Sequence, residues 1–501
     1  MTPRVADSVE QCVAVLSAQE AGRIEDAVAG FAVALAGSPN TLDLRIMLAY
    51  AQAAACNRPA SRETLEATPN VEVLSRDSAR RLADVSCEMH ADGVALRAID
   101  RALQFGAHDA DLHANRGAVL HRLGRLHAAR AVLDSAAAHW PTHVPTLLNR
   151  GRLDAECGDT ARALDAYDAV LRMQPDHSRA RSYRGLVRLS RGDHGGWLDY
   201  EARRALPCHA VGAPPGVPAW KGGDARGLTL LLWGEHGLGD QIMLVRFARE
   251  LDARGARVVV RCDRSLVSML RTAPGVHGVV SHDDALPASD AHVPMFSVPA
   301  LLGIHDDGAL GDTPYLHVCD GKSPGAGYAP VASACPERTR SVGIVWAGCA
   351  AHGNDHNRSF PESLLAQLLD VHGMQWTSFQ LGPRRSELAA LPADIRARVT
   401  DASDGLREFR DTARLLSDCD ALVTVDTSVA HLAGALGVPT LIMLPYVADW
   451  RWRAERADSP WYRSVRLVRQ REAGDWPSVV VQVRELLAAA ESAVHRQGMP
   501  A

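Results

Sequence analysis

The sequence predicts an α-helical N-terminal region followed by two α/β domains. Gly124, Gly158 and Gly192 stand 34 residues apart within alanine-rich, helix-forming sequence, which is a period typical of two-helix repeats. A segment rich in proline and glycine follows at 207–224, as expected of a linker. After it, short apolar runs alternate with loops and amphipathic segments, which is the pattern of parallel sheets covered by helices.

The composition excludes several classes of protein. The 501 residues suffice for about three domains, and the net charge of −5 provides no general basic surface for nucleic acid. There is no run of ~18 apolar residues that could span a membrane, and the N-terminus lacks the layout of a secretory signal. The ten cysteines contain no Cys-x-x-Cys pair, so we expect reduced thiols, no metal and a cytoplasmic protein.

The helical repeats are predicted over residues 8–206. Two successive units each show helical spacing of apolar residues, a glycine at the turn and a closing proline, at Pro141 and Pro175. The segment 18–39 fits the same template, whereas 40–108 lacks the regular glycine and proline, so we count about four or five repeats, some degenerate. Stacked hairpins form a superhelix whose concave surface commonly holds a protein segment. The alternatives are that the array only supports the second half or forms a homodimer.

The first α/β domain is predicted over residues 218–320. Leu228–Trp233 is apolar except for Thr229, as in a buried strand, and 241–254 has the apolar spacing of a helix. The loop between them reads GEHGLGD, at 234–240. Its glycine spacing differs from that of a dinucleotide-binding loop.

The carboxylates of this loop favour an acceptor site over a phosphate site, because they would repel a phosphate. Asp240 is a candidate general base whose charged form is stabilised by the helix start, or it is simply the N-cap of that helix. Glu235 and His236 are alternative bases, and Gly237 and Gly239 complete the candidate acceptor loop.

The second α/β domain is predicted over residues 341–495, after a linker at 321–340 that is rich in glycine, proline and serine. Its central unit is a strand at Ala421–Val425, a helix with Asp426 as its N-cap, and a strand at Thr440–Leu444.

A strand–helix–strand unit of this kind places free backbone N–H groups and a positive dipole end at the carboxyl edge of a sheet, which suits a diphosphate. Thr427 and Ser428 add hydroxyl donors, and His431 lies one helical turn beyond Thr427. Arg358 precedes another helix and could reach the same edge. The alternatives are that Asp426 only caps an ordinary helix and that Arg358 is solvated.

Five aromatic residues follow the last of these strands: Tyr446, Trp450, Trp452, Trp461 and Tyr462. Tyr446 and Trp450 are candidates for stacking on a nucleobase or a sugar. Local packing is the alternative.

These residues carry two resemblances. The 34-residue units resemble the tetratricopeptide repeat (TPR). Residues 218–490 resemble glycosyltransferase family 9, the heptosyltransferase-like group with the GT-B fold, through GEHGLGD, GIVWAG with NRSFP, and VDTSVAHLAGALGVP at 425–439. The whole chain resembles bacterial proteins that fuse TPRs to such a domain.

The second resemblance implies two Rossmann-like domains facing a cleft, inverting transfer without a metal or cofactor, and a nucleotide sugar bound by the C-terminal half. By motif, Asp240 matches the candidate base, and Arg358 stands where lysine is usual. Lipopolysaccharide heptosyltransferases generally lack a repeat array, so the resemblance fixes neither the acceptor nor the donor sugar. The residues expected to line the donor diphosphate are Asp426, Thr427, Ser428 and His431.

We therefore expect an inverting glycosyltransferase in which Asp240 deprotonates an acceptor hydroxyl, on a protein presented by the TPR array. One alternative is transfer to lipopolysaccharide or another surface glycan, with the repeats as a scaffold. Another is a non-catalytic TPR binding protein. The expected partners are a nucleotide sugar and a protein or glycan acceptor, without nucleic acid, and with a homodimer through the array as an open option.

Overall fold

The computed structural model describes residues 21–106, 108–206, 214–310, 313–318 and 339–497. The chain forms two compact units, the first ending at Ala180 and the second beginning at Arg181. The first boundary thus falls before the predicted end of the repeats at 206. The predicted parts at 8–20, 207–213 and 319–338 lie outside the described residues, as do Cys12, Cys208, Cys319 and Cys335.

The first unit consists of helices joined by short turns, as predicted. These helices are α1 (Ala21–Gly37), α2 (Leu42–Ala54), α3 (Arg58–Glu66), α4 (Arg76–Glu88), α5 (Asp92–Leu103), α6 (Ala110–Arg122), α7 (Leu126–His139), α8 (Val144–Glu156) and α9 (Thr160–Met173). The next helix, α10 (Ser178–Ser190), crosses into the second unit.

The 34-residue period extends through the stretch that lacks regular glycines. The turn residue has a positive φ of 72° at Gly124 and 84° at Gly158 and Gly192, and also of 59° at Cys56 and 58° at His90. All five positions are 34 residues apart. The repeats in this stretch are therefore regular in structure although their sequences lack the usual glycine, because two other residues adopt the left-handed conformation that normally favours glycine.

The helices of each hairpin approach closely at a second periodic position. A Cβ atom at Gly117 would overlap the side chain of Leu133, and one at Gly151 would lie 2.6 Å from the ring of Tyr167. Ala83, which is fully buried, precedes Gly117 by one period. Small residues at this position let the paired helices pack in van der Waals contact.

The second unit contains two parallel sheets. The first sheet has the order β3-β2-β1-β4, in which β1 ends at the candidate acceptor loop. Its strands are β1 (Thr229–Trp233), β2 (Arg257–Cys262), β3 (Val276–Ser281) and β4 (Ala291–Pro294). Its helices are α11 (Gly196–Tyr200), α12 (Leu238–Leu244), α13 (Ala248–Ala253), α14 (Val267–Leu270) and α15 (Val298–Leu302). The predicted helix at 241–254 is thus two short helices, separated by a 3-10 turn at Val245–Phe247.

The second sheet has the order β10-β9-β8-β5-β6-β7, with every pair parallel. Its strands are β5 (Arg340–Val345), β6 (Met374–Ser378), β7 (Val399–Asp401), β8 (Ala421–Val425), β9 (Thr440–Leu444) and β10 (Val465–Arg469). Its helices are α16 (Asp355–Arg358), α17 (Leu365–Leu369), α18 (Ala393–Arg396), α19 (Phe409–Ser417), α20 (Ser428–Leu436) and α21 (Trp476–Gln497). Counted within the domain this is the Rossmann order, and ligands bind such sheets outside the carboxyl ends of the strands, where the order reverses. In this sheet that point lies between β5 and β8.

One hydrophobic core runs through both α/β domains and through the segment before them. It contains Leu230 of β1 and Leu422 of β8, together with Trp197 of α11. The Trp197 ring meets that of Trp450 edge to face at 5.3 Å between centroids. Residues 181–206 are therefore structural parts of the second unit.

We find no helix in the described part of the chain that combines the length and the apolarity needed to cross a membrane.

Candidate functional site

The candidate anion site is formed where β8 passes into α20. The strand ends at Val425 and the helix begins at Ser428, with Thr427 as its N-cap in extended conformation (φ −141°, ψ 169°). The prediction of Asp426 as the N-cap is wrong by one residue, because Thr427 is the last residue with extended backbone before the helical turn. The side chain of Asp426 is thus one residue outside the cap position.

Arg358 lies at the same sheet edge, as predicted. Its Nη1 donates a hydrogen bond to the backbone carbonyl of Asp426 at 3.2 Å, and its Nε lies 3.3 Å from Asp355 Oδ1. The guanidinium occupies the space that a side chain at Gly348 would need. The loop after β5 and the turn after β8 therefore place a cation beside the start of α20.

Asp240 lies in the first turn of α12, as its third residue, and does not occupy the N-cap position. The N-cap is Gly237, so the alternative prediction of Asp240 as N-cap is wrong. Its Oδ2 accepts a hydrogen bond from the backbone N–H of Gly237 at 3.1 Å, and its Oδ1 accepts one from the guanidinium of Arg451. Burial raises the pKa of Asp240, whereas Arg451 lowers it.

Arg451 and Asp449 are site residues that the sequence analysis missed. They lie in the loop after β9, and Arg451 Nη1 is 2.5 Å from Asp449 Oδ1. The only signal in the sequence is a pair of charges among the aromatic residues of a loop at the carboxyl edge, and nothing there indicates contact with Asp240. We call Asp240, Asp426, Asp449 and Arg451 the carboxylate–arginine cluster.

Asp426 belongs to this cluster through its electrostatics. Burial and the neighbouring charge of Asp449 raise the pKa of Asp426 to about 6, although Arg451 and Arg358 lower it. The two predicted turns, after β1 and after β8, therefore contribute their carboxylates to one cluster around Arg451.

His431 lies between the two α/β domains as a buried, neutral side chain. Its Nδ1 is 2.9 Å from the hydroxyl of Tyr462, its ring stacks on Trp452 at 5.0 Å, and burial lowers its pKa well below the usual value. A Cβ atom at Gly239 would lie 2.6 Å from the imidazole. Gly239 thus lets α12 approach α20, and His431 packs at this contact.

Glu235 is held in a buried ion pair. Its Oε2 lies 2.8 Å from Arg203 Nη2 and accepts a hydrogen bond from the backbone N–H of Phe296 at 3.3 Å. Burial raises the pKa of Glu235, and Arg203 lowers it. His236, in contrast, is exposed with a positive φ of 59°, and its ring lies 4.8 Å from that of Phe296.

The two candidates for stacking differ in exposure. Trp450 is 8% exposed and packs edge to face on Trp197 and Trp461, which favours the packing alternative. Tyr446 is 46% exposed and lies two residues after the end of β9, at the carboxyl edge of the sheet. Of the two, Tyr446 has the ring available to a ligand.

Among the described residues there is no group of three or more histidine, cysteine or carboxylate side chains arranged to hold a metal ion. The expected independence from a metal stays a prediction.

Comparisons with known proteins give weak overall likeness. No family model matches the chain. Protein FlbA of Caulobacter vibrioides is 23% identical over 451 residues, which cover 82% of this chain and 72% of that protein. The structure of E. coli ADP-heptose LPS heptosyltransferase II is 18% identical, with a TM-score of 0.38, over 53% of this chain and 99% of the other. YrrB, a TPR protein with an unusual peptide-binding site, is 19% identical with a TM-score of 0.28, over 34% of this chain and 88% of the other.

At these scores and identities the likenesses carry no argument about activity. The fold rests on the structure itself, in which helical repeats with a 34-residue period precede two parallel Rossmann-like sheets. This order confirms the predicted fold class, a TPR-like helical array followed by two Rossmann-like domains of the GT-B type. Solved structures similar to parts of the chain include TPR proteins and family 9 glycosyltransferases.

Proposed function

We propose that this protein is an inverting glycosyltransferase that moves a sugar from a nucleotide-sugar donor to an acceptor hydroxyl in the cytoplasm. The observation that supports it best is the contact of Arg451 with Asp240, which joins the loop after β1 to the carboxyl edge of the second sheet. A candidate base thereby lies across from a candidate diphosphate site, at the position where Rossmann-like sheets bind ligands.

The donor diphosphate would bind at the start of α20. Unpaired backbone N–H groups of the first turn and the positive end of the helix dipole attract a phosphate, and Thr427 and Ser428 offer hydroxyl groups beside them. Arg358 adds a cation at the same turn. These groups would stabilise the negative charge that builds up on the leaving diphosphate. The exposed ring of Tyr446 is available to stack on the nucleobase.

The transfer itself would be a single displacement. Asp240 takes the proton of the acceptor hydroxyl as the oxygen attacks the anomeric carbon. The bond from that carbon to the diphosphate oxygen breaks, and the nucleoside diphosphate leaves with the electron pair. Attack from the face opposite the leaving group inverts the anomeric carbon, and neither a metal nor a covalent enzyme intermediate takes part in the proposed step.

The acceptor would be a protein presented by the repeats. The support for this choice is that hairpins of regular 34-residue period stand in the same chain as the transferase domains, since such arrays commonly bind protein segments in their concave surface. Transfer to lipopolysaccharide or another surface glycan is the alternative, with the array as a scaffold.

Two measurements test the proposed activity. A panel of UDP-, GDP-, ADP- and CMP-sugars is screened for an increase in melting temperature, and release of nucleoside diphosphate from the stabilising donor is then followed. We expect Asp240→Asn to bind that donor but to lose at least ~100-fold in turnover. Equal turnover of Asp240→Asn and wild type would show that Asp240 is not the base. If none of the sugar nucleotides stabilises the protein, it is instead a non-catalytic binding protein.

A further inference from the structure

Arg451 has an unusual environment for a charged side chain. It is 14% exposed, and its guanidinium lies 4.6 Å from the ring centroid of Trp450 and 5.8 Å from that of Phe296. One terminal nitrogen contacts Asp240 and the other contacts Asp449. The arginine is thus fixed between two aromatic rings and two carboxylates.

Burying these charges costs folding free energy. Desolvating an arginine and its partner carboxylates takes several kcal/mol per ion, which the ion pairs only partly offset. Arg451 Nε is also buried without a hydrogen-bond partner among the described residues. Charged clusters of this kind are more common at functional sites than elsewhere.

We infer that Arg451 is a positioning residue, which holds the Asp240 carboxylate ionised and oriented toward the acceptor hydroxyl, while Asp449 limits the strength of that hold. The inference rests on the proposed function, since it gives Arg451 its role through the base.

The groups around Asp240 identify Arg451 as the cation that acts on it. Arg451 and Asp449 face Asp240 from the loop after β9, and the backbone N–H of Gly237 faces it from its own helix turn. From α20 comes His431, which packs at the neighbouring Gly239 and is kept neutral by burial. From the turn before α20 comes Asp426, whose charge acts on Arg451. From α11 comes the hydroxyl of Tyr200, whose pKa burial raises so that it too stays neutral.

The charges on the two partners make opposite demands on the base. Arg451 favours the ionised form of Asp240, and Asp449 disfavours it. If Arg451 positions the base, neutralising Arg451 and neutralising Asp449 should move the acidic limb of the pH profile in opposite directions. If the contact is purely structural, each variant should lose the same fraction of its activity at every pH.

The kinetic test follows release of nucleoside diphosphate, with water as acceptor, from the sugar nucleotide that stabilises the protein most. For Arg451→Gln we expect the acidic limb of the pH profile of kcat/KM to move up by at least about one unit, so that activity at a fixed pH on that limb falls ~10-fold or more and recovers at higher pH. For Asp449→Asn we expect the same limb to move down. Arg451→Lys, which keeps the charge but lacks the two terminal nitrogens of the guanidinium, should move the limb less than Arg451→Gln does.

A matched control lies in the same loop. Arg456 forms its ion pairs with Asp307 and Asp458, away from the carboxylate–arginine cluster, so Arg456→Gln should leave the pH profile where it is. The inference would be overturned if the pH profiles of Arg451→Gln, Asp449→Asn and wild type had their acidic limbs at the same pH, even if both variants were slow.

A second measurement does not depend on the proposed activity. Without Arg451 the ionised Asp240 is buried and unpaired, so near pH 8 we expect Arg451→Gln to melt lower than the double variant Arg451→Gln, Asp240→Asn. Near pH 4.5 the two should melt together, because low pH neutralises Asp240 in the single variant, as the asparagine does in the double variant. Equal melting at both pH values would refute the coupling. If the melting temperatures agree with the inference but Asp240→Asn turns over as fast as wild type, then Asp240 is not the base. The coupling of Arg451 to Asp240 would still stand.

Discussion

Asp426 is a buried carboxylate whose ionisation lowers the stability of the folded state. Its pKa is raised to about 6 by burial and by Asp449, whereas an unfolded aspartate titrates near ~3.9. The folded state therefore binds this proton more tightly than the unfolded chain does. The stability that the group contributes is complete below about pH 4 and is lost as the pH rises through about 6.

We expect Asp426→Asn to stabilise the protein at alkaline pH. The asparagine cannot ionise, so near pH 8 the variant should gain up to about 2–3 kcal/mol, and near pH 4 it should gain nothing. Thermal melts at both pH values measure the difference. Asp394→Asn, an exposed change in the same domain, serves as the control, and an equal gain at both pH values would contradict the titration argument.

At the scale of the single element, the hairpin turn explains why the repeats are only partly visible in the sequence. In each turn the N–H after the left-handed residue donates to the carbonyl five residues earlier, as from Ala91 to Ser86 and from Arg125 to Leu120, both at 2.9 Å. This is the Schellman motif. The hydrogen bonds fix the turn whichever residue occupies it, so a pattern based on glycine alone misses the turn at His90.

His90→Gly should therefore stabilise the first unit. A residue with a Cβ atom pays a steric penalty at a φ of 58°, and glycine removes about 0.5–1 kcal/mol of it after its own entropy is counted. The reverse change, Gly124→Ala, should destabilise by a similar amount, since its φ is 72°. Thermal unfolding of both variants checks the pair, and a loss of stability in His90→Gly would refute the argument.

The strands that are easiest to predict from the sequence are those buried on both faces. The apolar runs of β1, β8 and β9 need no context to be recognised. The strand β7 has three residues, Val399–Asp401, and β10 (Val465–Arg469) alternates valine and leucine with arginine, so both lack a continuous apolar run. The shift of the N-cap from Asp426 to Thr427 has a similar reason, since aspartate and threonine are both good caps and only the backbone decides between them.

The candidate site was predictable only in its local parts. Arg358 and Asp426 are predictable at one sheet edge because each stands just before a predicted helix of a parallel α/β domain. The contact of Arg451 with Asp240 joins residues 211 positions apart, and no periodicity or spacing in the sequence encodes such a contact.

At the scale of the whole molecule, the boundary at Ala180 changes how the role of the repeats should be tested. Residues 181–206 carry Trp197, which packs in the core of the second unit, and Arg203, which pairs with the buried Glu235. A truncation at 206 would leave Glu235 without its cation, and such an unpaired buried charge costs about 3–5 kcal/mol.

We therefore expect deletion of residues 1–180 to leave a folded, donor-binding protein, and deletion of 1–206 to lower its melting temperature strongly. The experiment measures melting and donor-induced stabilisation of both truncations. If the two melt alike, the assignment of 181–206 to the second unit is wrong. With the shorter deletion, loss of transfer to a protein acceptor alone would support acceptor presentation by the array.

The continuous core beneath Trp197, Leu230 and Leu422 also constrains how substrates can enter. Moving the two α/β domains far apart would expose this shared core to water, at a free-energy cost of about 25 cal/mol for every Å² of apolar surface exposed. We therefore expect substrates to enter through small local movements of the loops around the candidate site, while the two α/β domains rotate relative to each other by only a few degrees. Small-angle X-ray scattering should consequently give nearly the same radius of gyration for the second unit before and after a sugar nucleotide is added, and a large contraction would speak against a shared, rigid interior.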